Sequence, residues 1–534
     1  MAKLVSAREA IDQIQSGSTL FVGSFGGMSY PEALAKALGE RFDETGTPRN
    51  LDFWASVTGS RGLGLQSERF VRDGIFRRVY LSHYATCPPL TKLALEEKIE
   101  AYNISMGTWV NLFRAAASRK PALITETGVG TQLDPRYGGG KFNKSAKEDI
   151  CQVIELDGQE YLLFKTPKVD VVFLRGTTAD PEFNITVENE CCPLDMLSLA
   201  MAAKASGGLV ICQVARLSAR KALPKDIEVP GFLIDYVVEE PGQTMNRVEA
   251  FNPAYTGDFE MPAEKISAHL DWLREATNAK GNVSVRALED YIIARRATSE
   301  LFEGAVVNLG YGIPDMVGGY AYENGMTDKV LLTLECGVLG GVPCPGAAFG
   351  SSINPKIIYR QSDQFNLYNG RGLDLCFVGA MEVDAHGNTN VSELGRMRIG
   401  VGGFIDITQR ARKNVFLTPF MGGKMKIAYE DGKLHILEEG KHVKFKKDVQ
   451  AISFSGDFAR RTGQEVLYVT ERCVFRLTPE GLELAEIAPG IDLERDILAH
   501  MDFKPIIPEQ IPLMGAEYFE LAKRDEARSQ EEKA

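Results

Sequence analysis

Two pairs of apolar segments recur in the same order along this chain, and a chain that repeats its own strand-and-turn plan is constrained to build two related domains. Gly17-Ser18-Thr19-Leu20-Phe21-Val22-Gly23 matches Gly304-Ala305-Val306-Val307-Asn308-Leu309-Gly310. Each is a small-apolar strand entering a glycine turn, and each turn leads to a proline and an acid, Pro31-Glu32 or Pro314-Asp315, as at the first turn of a helix. The second pair aligns Val169-Asp170-Val171-Val172-Phe173-Leu174 with Leu373-Asp374-Leu375-Cys376-Phe377-Val378. It continues through Asp180 with Asp384, Asn184 with Asn388 and Val187 with Val391. Short Val- and Leu-rich runs alternating with helical segments, such as 90–98 and 194–205, indicate crossover units around a parallel sheet. The expected fold class is α/β, with two related open parallel-sheet domains in one chain.

Turn-forming clusters place the boundary between about 240 and 285: Pro241-Gly242-Gln243, Asn252-Pro253-Ala254 and Asn278-Ala279-Lys280-Gly281-Asn282. This divides the chain into an N-terminal domain, 1–240, a connector, 241–284, holding a helix over 269–277, and a C-terminal domain, 285–522. The last opens on an amphipathic segment running to Phe302, with Ser284 as its cap. The tail 523–534 is charged and expected to fray.

Several classes of function are disfavoured. A net charge of -12 does not suit a nucleic-acid scaffold, which needs clustered Lys and Arg to displace counterions. Nine cysteines without a C-x-x-C pair and six scattered histidines give no metal-ligand spacing, so no metal is expected. Gly138-Gly139-Gly140-Lys141-Phe142 fails the P-loop pattern, and ATP is not indicated. No stretch approaches the roughly 18 apolar residues of a membrane span, and the amino terminus lacks the apolar core of a signal peptide. The expectation is a cytoplasmic enzyme with no membrane partner.

Glu335 is the leading candidate for chemistry. It ends the run Val330-Leu331-Leu332-Thr333-Leu334 and precedes Cys336, Gly337 and the stretch Gly340-Gly341-Val342-Pro343-Cys344-Pro345-Gly346. A short buried strand of a parallel sheet delivers its next residue to the mouth of a crevice, where ligands bind. Glycines there allow close approach and leave amides for a developing oxyanion. A glutamate past a strand end can equally be a solvated loop residue, a cap or a salt-bridge partner. The turn 309–314 offers N-H groups and a helix amino terminus to a phosphate, or is a structural tight turn. Arg398-Ile399-Gly400-Val401-Gly402-Gly403-Phe404 is a further glycine turn, entering a short helix before a strand over 414–418.

Taken together these residues resemble the family I CoA-transferases, most closely the single-chain bacterial acetate or propionate enzymes. The resemblance covers nearly the whole chain. It is carried by Val22-Gly23-Ser24-Phe25-Gly26 before Pro31, by Glu126-Thr127-Gly128-Val129-Gly130-Thr131 with Asp134-Pro135-Arg136, by Asn308-Leu309-Gly310-Tyr311-Gly312-Ile313-Pro314, by Glu335-Cys336-Gly337 and by Gly400-Val401-Gly402-Gly403. It implies two halves of the CoA-transferase fold type and ping-pong transfer of CoA between short-chain acyl-CoA thioesters and acids such as acetate or propionate. Glu335 would be the covalent nucleophile, carrying CoA as a glutamyl thioester. Asn308, Leu309, Gly310, Tyr311, Gly312 and Ile313 would bind CoA, a co-substrate and not a resident cofactor. Amides near Gly402 and Gly403 would meet the oxyanion, and Gly26, Gly128 and Gly130 would shape the acyl pocket. A homo-oligomer, dimer or tetramer, is the family's habit. With an ordinary pKa of about 4.3, Glu335 is expected to be ionised at neutral pH. One departure is Cys336, where the two-subunit branch commonly has Asn. An acyl-CoA hydrolase, or a sugar-phosphate-binding or isomerase protein on the same fold, is the alternative.

Overall fold

The computed structural model describes residues 2–279 and 286–531. The chain forms two compact units: Met1–Lys280 with Leu334–Asn366 and Arg398–Asp406, and Gly281–Thr333 with Leu367–Met397 and Ile407–Ala534. The chain thus leaves the first unit, enters the second and returns twice. The Glu335 segment and the Gly400–Gly403 turn both belong to the first unit, whereas division by chain order places them in the second.

In the first unit eight strands run parallel, in the order Lys3–Leu4, Tyr236–Glu239, Leu209–Leu217, Val171–Ala179, Thr19–Phe25, Leu51–Val57, Phe76–His83 and Glu100–Asn103, and Ile185–Thr186 pairs antiparallel with Val171–Ala179. Strand order reverses direction between Thr19–Phe25 and Val171–Ala179, a topological switch point of the kind that opens a crevice at the strands' carboxyl ends. The core comprises Leu20, Val22, Phe53, Ala55, Val79, Leu81, Phe173 and Ile211 from the strands, with Leu34, Leu38 and Leu90 from helices. The helices Met106–Ala117 and Met196–Ala205 pack on one another.

The second unit has strands in the order Leu331–Thr333, Val306–Leu309, Leu375–Gly379, Lys413–Leu417 and Glu465–Val469, all parallel, followed by the antiparallel pair Cys473–Thr478 and Gly481–Ile487. Its core gathers Val307, Leu309, Leu332, Leu375, Phe377, Val415 and Val469 against Ile292, Ile293 and Val317.

The repeat in the sequence is a repeat in register. Leu20, Phe21 and Val22 pair with Val171, Val172 and Phe173, and the matching residues Val307, Asn308 and Leu309 pair with Leu375, Cys376 and Phe377. The Thr19 amide donates to Asp170 Oδ2 at 3.0 Å, and the Val306 amide donates to Asp374 Oδ2 at 3.0 Å. Asp180 takes the amides of Glu182 and Asn184 at 2.8 and 2.9 Å and the Asn184 side chain at 3.0 Å. Asp384 takes those of His386, Asn388 and the Asn388 side chain, each at 3.0 Å. Each asparagine then accepts a glycine amide at 2.9 Å, from Gly231 or Gly456. A Cβ on either glycine would strike the carbonyl of Glu182 or His386, so only glycine fits. A short polar side chain that closes its own turn and anchors a distant backbone is a specific device, and the chain uses it twice.

Three expected elements differ in extent. The connector helix runs Ala263–Ala279, longer than 269–277. The helix expected to reach Phe302 spans Leu288–Thr298, and its supposed cap, Ser284, lies outside the described residues. The charged tail is not frayed at its start: helix Ala516–Glu531 buries Phe519 and Ala522, and Asp525 accepts from Arg295 at 2.8 Å and from the Tyr320 hydroxyl at 2.7 Å. Charge content alone hid an apolar face three residues apart. No helix among the described residues is long and apolar enough to cross a membrane.

Candidate active site

The site in the first unit is built on the carboxyl ends of two strands. Asn103 ends one of them, and its side chain donates to the carbonyls of Leu81 and Ser82 at 2.9 and 2.8 Å while Oδ1 accepts the Val401 amide at 3.0 Å. The Gly402 amide also donates to the Ser82 carbonyl, at 2.8 Å, and the Gly402 carbonyl accepts the Met106 amide at 2.9 Å. These contacts fasten the glycine turn to the sheet. Gly400 and Gly402 have φ of +89° and +56°, in the region that favours glycine.

Glu335 lies two residues past the strand Leu331–Thr333 and abuts Gly403. A Cβ on Gly403 would overlap Glu335 Oε1, lie 2.9 Å from its Cδ and lie 3.2 Å from Phe365 Cε1. The glycine makes room for the carboxyl group. The structure therefore brings together Glu335, Gly402 and Gly403. Their amides differ, however: Gly402 has already committed its N-H to Ser82, whereas the Gly403 N-H has no acceptor among the described residues.

Electrostatics correct one expectation. Burial, first, and the negative charge of Asp406, second, push the Glu335 carboxyl up to about 8. Glu335 therefore holds its proton at neutral pH in this structure instead of standing ionised. Asp406 is buried, and its Oδ2 accepts the Gly107 amide at 2.9 Å, in the first turn of helix Met106–Ala117. A carboxylate at a helix amino terminus is in a favourable field. Gly107 is a second glycine with a reason: its Cβ would overlap Asp406 Oδ1 and lie 3.0 Å from Phe365 Cδ1. One edge of the Phe365 ring thus borders the places beside both acids.

Gly26 turns the chain after strand Thr19–Phe25, with φ of +54°. Its neighbours reach the Glu335 segment, since the Phe25 ring stacks on Phe349 with centroids 6.3 Å apart and Ser351 Oγ lies 3.6 Å from Met28 Sδ. Gly128 and Gly130 lie in a turn closed by Asp134, which accepts the Gly130 amide at 3.0 Å. That loop meets the site through Gln132, 3.4 Å from Asn103 Oδ1. Cys336 is buried, with Sγ 2.9 Å from the Gly350 carbonyl.

The six residues 308–313 belong to the second unit and divide in two. Asn308 and Leu309 are interior: the Asn308 amide donates to the Thr333 carbonyl at 3.1 Å and to the Tyr368 hydroxyl at 3.0 Å. Gly310, Tyr311 and Gly312 form the turn itself, with Gly312 at φ of +101° heading the helix Ile313–Glu323. Arg286 steadies it, donating to the Gly312 carbonyl at 2.6 Å and to Asp315 at 3.3 Å. The Gly310 amide is already donated to the Phe377 carbonyl at 2.8 Å, which leaves the helix start as the place where an anion could be met.

Sequence reasoning missed Asp406, Gly107, Phe365 and Asn103. Asp406 follows Gly403 by three residues and could have been flagged as the acid of a glycine-turn helix, but its contact with Gly107 spans most of the chain. Among the described residues no group of three His, Cys, Asp or Glu side chains is placed to hold a metal ion.

The chain is 38% identical over 524 residues to the acetate CoA-transferase YdiF of Escherichia coli (strain K12), covering 97% of this chain and 95% of that protein. It is 40% identical over 530 residues to the caffeate CoA-transferase of Acetobacterium woodii, covering 97% and 98%. The crystal structure of the YdiF apoenzyme from Escherichia coli O157:H7 superposes with a TM-score of 0.88 at 36% identity, covering 97% of this chain and 96% of that one, and its thioester complex with CoA gives the same values. The model of the coenzyme A transferase family matches residues 4–240 and 291–495. With its two α/β units and these matches over nearly its full length, the chain belongs to the coenzyme A transferase family.

Proposed function

We propose that this enzyme moves CoA between short-chain acyl-CoA thioesters and free carboxylic acids, such as acetate or propionate, through a covalent bond from Glu335 to the CoA sulfur. The observation that carries this reading is the Glu335 carboxyl set against side-chain-free Gly403, beside an amide with no acceptor. Ionised Glu335 attacks the thioester carbonyl, the carbon–sulfur bond breaks, and CoA leaves as thiolate from a mixed acyl-glutamyl anhydride. The thiolate then attacks the glutamyl carbonyl, the first carboxylate departs, and the enzyme holds CoA as a glutamyl thioester. A second carboxylate reverses the sequence. Each tetrahedral intermediate develops an oxyanion, and the Gly403 amide is the donor we assign to it, a contact of a kind worth about 2.7 to 4 kcal/mol. The turn Gly310 to Gly312 with the start of helix Ile313–Glu323 is our assignment for the CoA phosphates.

Water competes for both the anhydride and the thioester, so the burial that raises the Glu335 pKa also protects the intermediates. We place the reaction in the cytoplasm, where nine free cysteines stay reduced, and propose a homo-oligomer, dimer or tetramer, to be tested by light scattering. The decisive experiment is intact-mass analysis after exposure to acetyl-CoA or propionyl-CoA, with the modified peptide mapped. The expected result is a CoA adduct on Glu335 that disappears when a carboxylate acceptor is added. An adduct elsewhere, or full activity in Glu335→Ala, would overturn the mechanism.

A further inference from the structure

Phe365 is buried, and one edge of its ring faces both of the glycines that make room for an acid. Its Cε1 lies 3.2 Å from the point a Cβ on Gly403 would occupy, beside Glu335 Oε1. The adjoining Cδ1 lies 3.0 Å from the corresponding point on Gly107, beside Asp406 Oδ1. The helix Gln361–Asn369 carries the ring, and its first turn is tied down. The Ser362 amide donates to Asp195 Oδ2 at 2.7 Å, the Ser362 hydroxyl donates to Asp195 Oδ1 at 2.5 Å, and Gln361 Nε2 lies 3.2 Å from Met106 Sδ, one residue before Gly107. An apolar ring edge is a poor neighbour for two acids, and burial already holds the Glu335 carboxyl up to about 8. Water or a hydroxyl side chain in the same place would solvate both carboxyl groups. The position of the ring therefore asks for a reason other than the stability of the acids.

We infer that the Phe365 ring keeps water from the place beside Glu335 and Asp406, and so prevents Asp406 from acting as the base in hydrolysis of the glutamyl-CoA thioester. The inference rests on the reading of Glu335 as nucleophile and adds to it the residue that decides between transfer and hydrolysis. The hazard lies in the chemistry. Once Glu335 carries CoA, a nearby carboxylate can take a proton from water as the water oxygen bonds to the glutamyl carbon. The carbon–sulfur bond then breaks, the CoA thiolate collects that proton from Asp406, and Glu335 is released as the free acid. Thioester and water become acid and thiol, and no CoA reaches an acceptor. Asp406 is such a carboxylate, since its negative charge acts on Glu335. A water needs a space of its own size with about two to four polar partners. The two acids supply the partners, and the ring takes the space. Truncation of Phe365 opens a cavity with carboxyl groups at its wall, which fills with water where a purely apolar cavity stays dry.

The test loads the full-length enzyme with CoA by exposure to propionyl-CoA, removes free ligand, and follows loss of the adduct by intact mass, without an acceptor and with propionate. The readout is the ratio of hydrolysis to transfer, taken on loaded molecules and so independent of any fraction that fails to fold. In Phe365→Ala this ratio is expected to rise about 10- to 100-fold, the lower part of the range open to a positioned base. Asp406→Asn added to Phe365→Ala keeps an acceptor for the Gly107 amide and removes the base, and is expected to reverse at least half of that rise on a logarithmic scale. The inference fails if the ratio in Phe365→Ala stays within twofold of the parent, or if the double variant hydrolyses its adduct as fast as Phe365→Ala. If Phe365→Ala does not fold, Phe365→Leu, which removes part of the ring, takes its place, and an unchanged ratio there overturns the assignment. Glu335→Ala is run alongside: retention of a CoA adduct there refutes the nucleophile reading itself, a result separate from adduct lifetimes in the Phe365 variants.

Discussion

Gly403→Ala isolates the geometry of Glu335, the nucleophile we propose, from the stability of the fold. The added Cβ would overlap Glu335 Oε1 and come within 2.9 Å of its Cδ. Non-bonded heavy atoms rest about 3.5 Å apart, so the carboxyl group must retreat by roughly 1 Å. The Phe365 ring, 3.2 Å from the same point, crowds the methyl as well. A misplacement of about 1 Å at a reacting centre costs about 100-fold in rate, or about 2.7 kcal/mol of transition-state stabilisation. Stability should barely change. Gly403 is not at positive φ, so alanine is accommodated by the backbone and stiffens the unfolded chain by about 0.4–1 kcal/mol, while an off-rotamer glutamate returns about 0.5–1.5 kcal/mol. The assay is the steady-state rate of CoA transfer from propionyl-CoA to acetate, paired with a thermal melt. A kcat within threefold of the parent at unchanged melting temperature would refute the reasoning, as would an activity loss matched by an equal loss of folded protein.

Four further outcomes follow from the same coordinates. Gly402→Ala should show the opposite signature, because its φ of +56° strains alanine by about 1–3 kcal/mol while the nearest side-chain atom is 3.9 Å away: the melting temperature falls and kcat changes little in the protein that remains folded. Since Glu335 must ionise to attack and its pKa lies at about 8, kcat/KM should rise about tenfold per pH unit below pH 8 and level off above it; a flat profile from pH 6 to 9 contradicts this. Asp406→Asn keeps an acceptor for the Gly107 amide and removes the charge, so the midpoint of that profile should move to lower pH, partially because burial is the larger cause. A carboxyl group raised in the folded state supports stability below its unfolded pKa of about 4.3 and loses that support as pH climbs through about 8, so Glu335→Gln should raise the melting temperature more at pH 8 than at pH 5.

The repeated strands were legible because their signals are local. An apolar run, an aspartate just before it and an Asp-to-Asn spacing of four residues specify the strand, an acceptor for the first amide of the neighbouring strand and the turn beyond, and Asp170 with Asp374 and Asp180 with Asp384 make the same bonds. Glu335 and the glycine turn were legible as motifs. Their electrostatics were not, because the Glu335 pKa depends on burial and on Asp406, which no spacing announces. Asn308 shows the converse: in sequence it heads a ligand-like turn, while in space its side-chain NH2 is spent on Thr333 and Tyr368 and its Oδ1 is buried.

The return of the chain to the first unit has a consequence for how the enzyme is made. The first 280 residues emerge from the ribosome with most of that unit's sheet, but they lack Leu334–Asn366 and Arg398–Asp406. At about 5–20 residues per second, the glycine turn arrives on the order of ten seconds after the sheet that will receive it. Throughout that interval the carboxyl ends of the Phe76–His83 and Glu100–Asn103 strands wait without the turn that satisfies Ser82 and Asn103. The nascent sheet is therefore an acceptor for its own late-coming segments, which join it only after synthesis has passed the midpoint of the chain. A truncated product that stops before Arg398 can carry Glu335 and still lack Gly403, so no fragment of this chain short of that point contains both parts of the catalytic centre we propose.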